Sequence, residues 1–292
     1  MSQEIELKLA LPPEGPERLR RHPRLAALPT EDRILANTYF DTPDGALEAA
    51  RVALRIRDTG KGRVQTLKTT GNGQGGLSVR GEWEWPIDEN RLDLDGLKTL
   101  APMQALGDET LAALAPRFAT DFSRRTWIVD VEQGRIEVAL DDGEVQAGGR
   151  RATIRELELE LKDGDPAALW ALADEFAASV PLRPATASKA ARGAALGEGQ
   201  WPLPEADDDP AALFERAILA LDALADSQDA RFKDEARQSL DRLVALGDDR
   251  LTSPAASLLA ALNHQAAQDD AWLDVAFGQA ALALARALYA PA

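Results

Sequence analysis

The chain has 292 residues, 45% of them hydrophobic and 28% charged, which suits one or two folded domains with a buried core and argues against disorder. Its 33 Lys+Arg against 49 Asp+Glu leave a formal charge of −16, so it is ill suited to binding nucleic acid or anionic membrane. Cysteine is absent and histidine is limited to His22 and His264, which excludes disulfides, thiolate metal sites, cysteine nucleophiles and a His-rich zinc site, and disfavours a Ser-His-Asp triad. No apolar run is long enough to span a bilayer, and the N-terminus carries charges inside its apolar stretch and no basic lead-in. A cytoplasmic location is expected.

Period-two alternation predicts a first strand over 3–11, followed by a helix over 14–27. Strands follow at 33–42, 51–59, 63–70 and 77–87, with Lys61-Gly62 and the glycine run 71–76 as hairpin turns. A helix is predicted over 96–116, then strands over 122–133, 134–142 and 153–162, with Asp142-Gly143 as a turn signal. Asp165-Pro166 opens a helix over 165–180.

Residues 1–198 form one predicted domain, a Gly-, Pro- and acid-rich linker spans 199–209, and a second, all-helical domain covers 210–292. The tail from 201 onward holds 7 basic and 16 acidic residues and is rich in Ala and Leu. Four helices are predicted there, at 209–227, 229–246, 254–266 and 269–289, packed as a small bundle. Their apolar faces can pack on each other, on the first domain or on a second subunit, so a homodimer is compatible with the sequence.

The predicted strands carry an unusual polar face. Glu4, Glu6 and Lys8 alternate with Ile5, Leu7 and Leu9, and one such strand alone is read most simply as an outer strand with a solvated face. The pattern recurs, with Arg55 and Arg57, then Arg80, Glu82 and Glu84, then Glu137 and Asp141, then Glu156, Glu158 and Glu160. Three glutamates in a row on one strand face repel unless cations intervene. A closed eight-stranded antiparallel barrel of α+β class resolves this, with its apolar face outward under helices and its charged face lining a lumen. Carboxylates without His or Cys suit Mg²⁺ or Mn²⁺, and arginines suit phosphate oxygens. Together these are the equipment of phosphoryl transfer to water.

Glu4-Ile-Glu6-Leu-Lys8 resembles the ExExK signature that opens the CYTH superfamily, the triphosphate tunnel metalloenzymes. Further segments resemble that family in the expected order: Thr38-Tyr-Phe-Asp-Thr42, Ala53-Leu-Arg-Ile-Arg57, Thr66-Leu-Lys68, Arg80 with Glu82, Arg124, Ile136–Asp141, Glu156–Glu160 and Ser188-Lys189-Ala-Ala-Arg-Gly193. The resemblance covers about 1–195 and is greatest to bacterial inorganic triphosphatases. These often carry a helical CHAD domain; the tail here is too short for one, is acidic and has a single histidine, and so reads as a truncated or diverged remnant.

The resemblance implies metal-dependent hydrolysis of tripolyphosphate to pyrophosphate and phosphate. Lys8, Arg55, Arg57, Lys68, Arg124 and Lys189 would hold the phosphate oxygens, and Arg80 is either a further contact or pairs with Glu82 across the lumen. Two ions are implied, one on Glu158 and Glu160 with Asp141 close behind, bridging the triphosphate. The other, near Glu4 and Glu6, would activate a water for in-line attack, with Lys8 beside it. Glu156 is open between metal ligand and arginine partner. Arg125, of opposite parity to Arg124, reads as a surface residue, and Trp83, Trp85 and Trp127 as packing. The alternatives are a nucleoside or thiamine triphosphatase, an adenylate cyclase of the same superfamily, or a non-catalytic polyphosphate- or nucleotide-binding module. The tail is expected to contribute nothing to the lumen, so that a chain ending near Gly199 keeps turnover within a few-fold.

Overall fold

The computed structural model describes residues 2–69, 72–205, 207–264 and 272–289. Its elements run β1 (Ser2–Ala10), α1 (Gly15–Arg20), α2 (Pro23–Ala26), β2 (Glu31–Asp41), α3 (Ala46–Ala49), β3 (Val52–Asp58), β4 (Arg63–Thr69), β5 (Asn72–Gln74) and β6 (Leu77–Ile87). Then come α4 (Leu94–Lys98), α5 (Ala101–Ala113), β7 (Ala115–Val131), β8 (Gly134–Ala147), β9 (Arg150–Gly164), α6 (Ala167–Ala177), β10 (Arg183–Pro184) and α7 (Lys189–Glu198). The tail holds α8 (Pro210–Ser227), α9 (Arg231–Ala245), α10 (Asp249–His264) and α11 (Val275–Tyr289). The end of the predicted 63–70 strand, the start of the 71–76 glycine run and the boundary between the last two predicted helices lie outside the described residues.

Eight strands close into one antiparallel barrel in the order β1-β9-β8-β7-β2-β3-β4-β6, and β6 pairs back onto β1. The short β5 and β10 add to the edges of β6 and β1. No described helix is long and apolar enough to cross a membrane.

Three local expectations differ from the structure. Pro23 divides the helix expected over 14–27 into α1 and α2, and His22 caps α2 by accepting from Arg24 N at 3.3 Å. The helix expected over 96–116 is α4 and α5, interrupted at Gly107 with φ of 85°, and β7 begins seven residues before the strand expected at 122. Pro116 sits opposite Phe40, where the β2–β7 register shifts, so it is tolerated at an irregularity of the ladder.

The third concerns Asp142-Gly143, which is no turn. β8 runs through it to Ala147, and the hairpin turns at Gly148-Gly149, both at positive φ. Gly143 is required by closeness: a Cβ there would stand 2.2 Å from Asp121 O and 2.5 Å from Phe122 Cα on β7. Gly143→Ala is therefore expected to cost about 1–3 kcal/mol, because the contact is with backbone that cannot yield. Urea unfolding should show a lower midpoint at an unchanged slope; an unchanged midpoint would mean that β7 and β8 separate freely here.

Outward apolar residues of β1, β7, β8 and β9 (Leu9, Trp127, Val138 and Leu159 among them) pack under Leu19 of α1, Leu25 of α2 and Leu169 and Phe176 of α6. The same core continues without a break into Phe214, Leu221, Leu240, Phe277 and Leu282 of the tail. A second cluster puts Leu54 and Leu67 beneath Leu97 and Met103 of α4 and α5.

Candidate active site

The ladder registers fix which charged side chains are neighbours in the lumen. Across β1, β9 and β8, one row reads Glu6, Glu160, Glu137, the next Lys8, Glu158, Ala139, and the third Ala10, Glu156, Asp141. On β7, Arg124 stands opposite Asp141. On β3, Arg57 stands opposite Asn37 of β2, and Arg55 lies between Tyr39 of β2 and Thr66 of β4. Glu4 faces Arg80 of β6, and Lys68 of β4 faces Glu82. The lumen is a cavity of about 760 Å³ lined by the charged residues of these rows, with Asn37, Asp141 and Glu156 buried behind the lining.

Beyond Asp141 and Glu156 the interior changes character. The same inward parity brings Leu35, Phe122, Val145 and Ile154 together with Leu196 of α7. The lumen is thus charged over only part of its length, and an apolar plug fills the part under α7. Gly193 lets α7 lie close, since a Cβ there would come 2.2 Å from the Phe118 ring.

α7 delivers a cation to the junction of these two parts. Ser188 caps it, accepting from Ala191 N at 3.1 Å, and Lys189 is its first residue. A cation at a helix N-terminus is opposed by the helix dipole. Three carboxylates offset this: Lys189 Nζ lies 2.6 Å from Glu156 Oε2, 2.8 Å from Glu158 Oε1 and 2.8 Å from Asp141 Oδ2. Arg124 donates to both Asp141 oxygens at 2.7 Å and to Glu158 at 2.5 Å, and both cations lie over the Phe122 ring. Glu156 also accepts from Arg192 Nη1 at 2.5 Å, so it has the arginine partner, and it stands in the carboxylate cluster as well.

A second network joins β1, β4 and β6. Lys68 Nζ donates to Glu4 at 2.9 and 3.1 Å and lies 3.2 Å from Glu82. Arg80 bridges Glu4 at 2.8 Å and Glu6 at 2.6 Å, so the expected pair with Glu82 is replaced: the β1–β6 register sets Arg80 opposite Glu4, and Lys68 takes Glu82. Glu160 accepts from Lys162 at 2.8 Å. Acids outnumber bases in this region: Glu4, Glu6, Glu82, Glu137 and Glu160 share Lys68, Arg80 and Lys162. Burial, with Glu4 and Glu137 close by, raises the Glu160 pKa even though Lys162 bonds to it.

The β2–β3 wall has the opposite surplus. Arg57 Nε donates to Asn37 Oδ1 at 2.9 Å, and Arg55 Nη1 reaches only the Tyr39 hydroxyl, at 3.4 Å. Arg55 Nε is buried without a partner. Neither arginine has a carboxylate partner among the described residues. Burial, then Arg55 and Arg124, hold the Arg57 guanidinium down to about 9. Burial alone would raise the Tyr39 hydroxyl, yet Arg55, Lys189 and Arg57 pull it below its usual value. The Tyr39 shift reports a positive potential, and at Arg57 burial and that potential act together; an anion would relieve it. Lys8, only 5% exposed, donates a long 3.5 Å bond to Ala187 O and has no ion pair among the described residues.

The structure therefore brings Glu4, Glu6, Lys8, Arg55, Arg57, Lys68, Arg80, Arg124, Asp141, Glu158, Glu160 and Lys189 around one lumen. It adds Glu137, Asn37, Tyr39 and Arg192. Arg125 pairs with Asp32 on the outside, and Trp127 is buried in the core. The expectation that the tail adds nothing to the lumen is overturned: Glu215 and Leu219 of α8 line the cavity. A chain ended near Gly199 would also uncover the apolar surface of β9 and α6 on which α8 and α11 pack, and is expected to lose activity rather than keep it.

A divalent cation fits the chemistry of this lumen. Asp141, Glu156 and Glu158 each offer an oxygen within 4.8 Å of the others, a hard donor set suited to Mg²⁺ or Mn²⁺. Lys189, Arg124 and Arg192 already neutralise that cluster, so the region of the Glu6–Glu160–Glu137 row, where acids outnumber bases, offers the stronger attraction for a divalent cation.

The paired acids also make a pH prediction. Burial alone would raise Glu4 and Glu156, but Lys68 and Arg80 for the one, and Lys189 and Arg192 for the other, hold both at about 2 against an ordinary 4.5. A depressed carboxylate contributes stability that is complete above the unfolded value and is lost as pH falls through the folded one. Thermal midpoints should thus fall between pH 4.5 and about 2, blunted by Glu160 and Glu215, which burial shifts the other way. Glu156→Gln should flatten that slope; an unaltered slope would place the acid sensitivity elsewhere.

The site is thus a closed antiparallel barrel with an acidic wall facing a basic one. The CYTH domain family matches residues 2–194, and the chain belongs to that family. An inorganic triphosphatase of Haemophilus influenzae is 37% identical over 203 residues, which is 69% of this chain and 57% of that protein. The chain thus spans little more than half the length of that relative. A putative adenylyl cyclase from Hippeastrum, described as having a dominant triphosphatase activity, shares the fold at a TM-score of 0.52 and 23% identity, covering 69% of this chain and 98% of its own. A putative adenylate cyclase from Bacillus halodurans matches at a TM-score of 0.39 and 19% identity over 62% of this chain and 94% of its own.

Proposed function

We propose that the chain hydrolyses a linear inorganic triphosphate to pyrophosphate and phosphate in its lumen, with Mg²⁺ or Mn²⁺. The observation that carries this is the pair Arg55 and Arg57, two lumen guanidiniums without carboxylates, facing a wall with carboxylates to spare. A buried, unpaired cation is costly, and a wall of them is explained by an anionic ligand. The excess of acid opposite is explained by a cation that accompanies it. The Haemophilus triphosphatase supports the choice of substrate.

On this reading Arg55, Arg57 and Lys8 bind phosphate oxygens directly. Lys68, Arg80, Arg124 and Lys189 hold the carboxylates in place and lend their remaining N–H groups to the substrate. Glu4, Glu6, Glu137 and Glu160 would hold one ion, and Asp141 and Glu158 a second. A bound divalent ion supplies charge stabilisation on phosphoryl oxygens and makes water a better nucleophile. The lining has neither His nor Cys, so attack by water in a single displacement is the simplest course. A carboxylate oxygen of the Glu6–Glu160–Glu137 row that the ion leaves free would take the water's proton. Residues 1–198 are then the catalytic unit and 210–292 its helical support.

Phosphate release from tripolyphosphate, ATP and thiamine triphosphate, with and without Mg²⁺ or Mn²⁺, tests the proposal. The highest kcat/KM is expected for tripolyphosphate, and only with metal. Preference for ATP or thiamine triphosphate would favour those activities, and formation of a cyclic nucleotide would favour a cyclase. Binding without release would favour a non-catalytic module.

A further inference from the structure

Two acids in the tail stand where packing alone does not call for them. Asp222 and Asp226 lie one turn apart on the buried face of α8, among Ile218, Leu221 and Ala223, and are 7% and 8% exposed. Aspartate is a poor helix former, and like charges four residues apart repel. A contact that served only to glue α8 to the barrel would be made as well by apolar residues.

Both acids grip the segment that carries Lys189. Asp222 accepts from Arg183 Nη1 at 2.6 Å and from the backbone N–H groups of Thr186 at 3.1 Å and Ala187 at 3.0 Å, just ahead of the Ser188 cap. Asp226 accepts from Arg192 Nε at 3.0 and 3.1 Å and from Nη2 at 2.6 Å. Arg192 passes the restraint on, donating to Thr153 O at 2.6 Å and to Glu156 at 2.5 Å, and the other Glu156 oxygen holds Lys189 Nζ. The chain Asp226–Arg192–Glu156–Lys189 thus runs from the tail into the lumen.

We infer that Asp222 and Asp226 are positioning residues: the tail holds the start of α7 so that Lys189 reaches the lumen. This rests on the lumen being the triphosphate site. Without the Asp226 charge, Arg192 keeps Glu156 as its one ion-pair partner among the described residues and is free to swing that carboxylate away from Lys189. Lys189 then depends on Asp141 and Glu158, both of which Arg124 also claims.

The test is a double-mutant cycle in the full chain, read by calorimetric affinity for tripolyphosphate with Ca²⁺ in place of Mg²⁺, and by turnover with Mg²⁺. Asp226→Asn is expected to weaken affinity at least tenfold, Lys189→Gln at least as much, and the double variant no more than Lys189→Gln alone. Asp226→Glu should recover affinity to within threefold. Glu235→Gln, which breaks the Arg216–Glu235 pair elsewhere in the tail, should stay within twofold of the parent. Asp222→Asn gives a second, independent entry to the cycle. Additive losses, or parental affinity in both Asp226→Asn and Asp222→Asn, would overturn the inference. Failure of both variants to fold would also overturn it, by making the acids fold-holding residues. Absence of turnover in the parent chain would count against the proposed hydrolysis, while the affinity cycle would still report on the clamp.

Discussion

Glu4→Gln is expected to lower tripolyphosphate turnover roughly 10²–10³-fold at saturating Mg²⁺, the scale set by losing one preorganised electrostatic contact, about 2.7–4 kcal/mol. Glu4 is 8% exposed and holds both Lys68 and Arg80. Glutamine keeps the shape and removes the charge, so the ion and the two cations lose their common partner together. The fold should survive, because Arg80 keeps Glu6 and Lys68 keeps Glu82. Steady-state kinetics with a thermal melt of the same sample checks both parts. Unchanged kcat would remove Glu4 from the site, and loss of folding would make it structural.

Arg57→Ala is expected to weaken tripolyphosphate binding by about 1.5–3 kcal/mol, or roughly 10–150-fold, the value of a hydrogen bond to a charged group. Lysine at this position should restore only part, since it lacks the planar fork. The stability effect has the opposite sign from that of Glu4. Arg57 has Asn37 as its hydrogen-bond partner and no carboxylate, and its guanidinium is held down to about 9, so its charge costs the ligand-free fold energy. Arg57→Met, which keeps much of the stem, should melt no lower than the parent chain. Parental affinity in Arg57→Ala, by calorimetry with Ca²⁺, would place this arginine outside the binding wall. A lower melt for Arg57→Met would show that its charge is compensated after all.

Much of the barrel was legible because the side-chain period is two on every strand, and the charged residues kept one parity from Glu4 to Glu160. What alternation does not encode is where a strand stops. Gly143 looked like a turn because glycine after aspartate supplies one elsewhere; its role here is the approach of the Phe122 backbone, which only pairing with β7 creates. Ala115 and Pro116 resemble a helix end in sequence, and what makes them strand is pairing with Phe40 and Asp41, 74 or more residues away.

The site shows the same division. That carboxylates and arginines share a lumen follows from parity. Which of them are neutralised follows from register, which alone sets Glu137 in line with Glu160 and Glu6. Leu35, Val145 and Ile154 keep the inward parity without the charge, and that break was the available signal for an apolar plug. The glutamates of β9 do repel, as the sequence suggests, but the cations that answer them are largely the protein's own. Glu158→Ala therefore frees Lys189 and Arg124 and costs stability, rather than relieving strain. Asp222 and Asp226 carried a faint signal too, as acids on an otherwise apolar helix face.

The central claim is that this lumen splits a triphosphate with a divalent ion, and ³¹P NMR of tripolyphosphate incubated with the full chain tests it most directly. The account predicts equal amounts of pyrophosphate and phosphate appearing with Mg²⁺ or Mn²⁺, none with chelator, and little with Glu4→Gln. Tripolyphosphate that persists with metal present, or is consumed equally well in chelator, would contradict it.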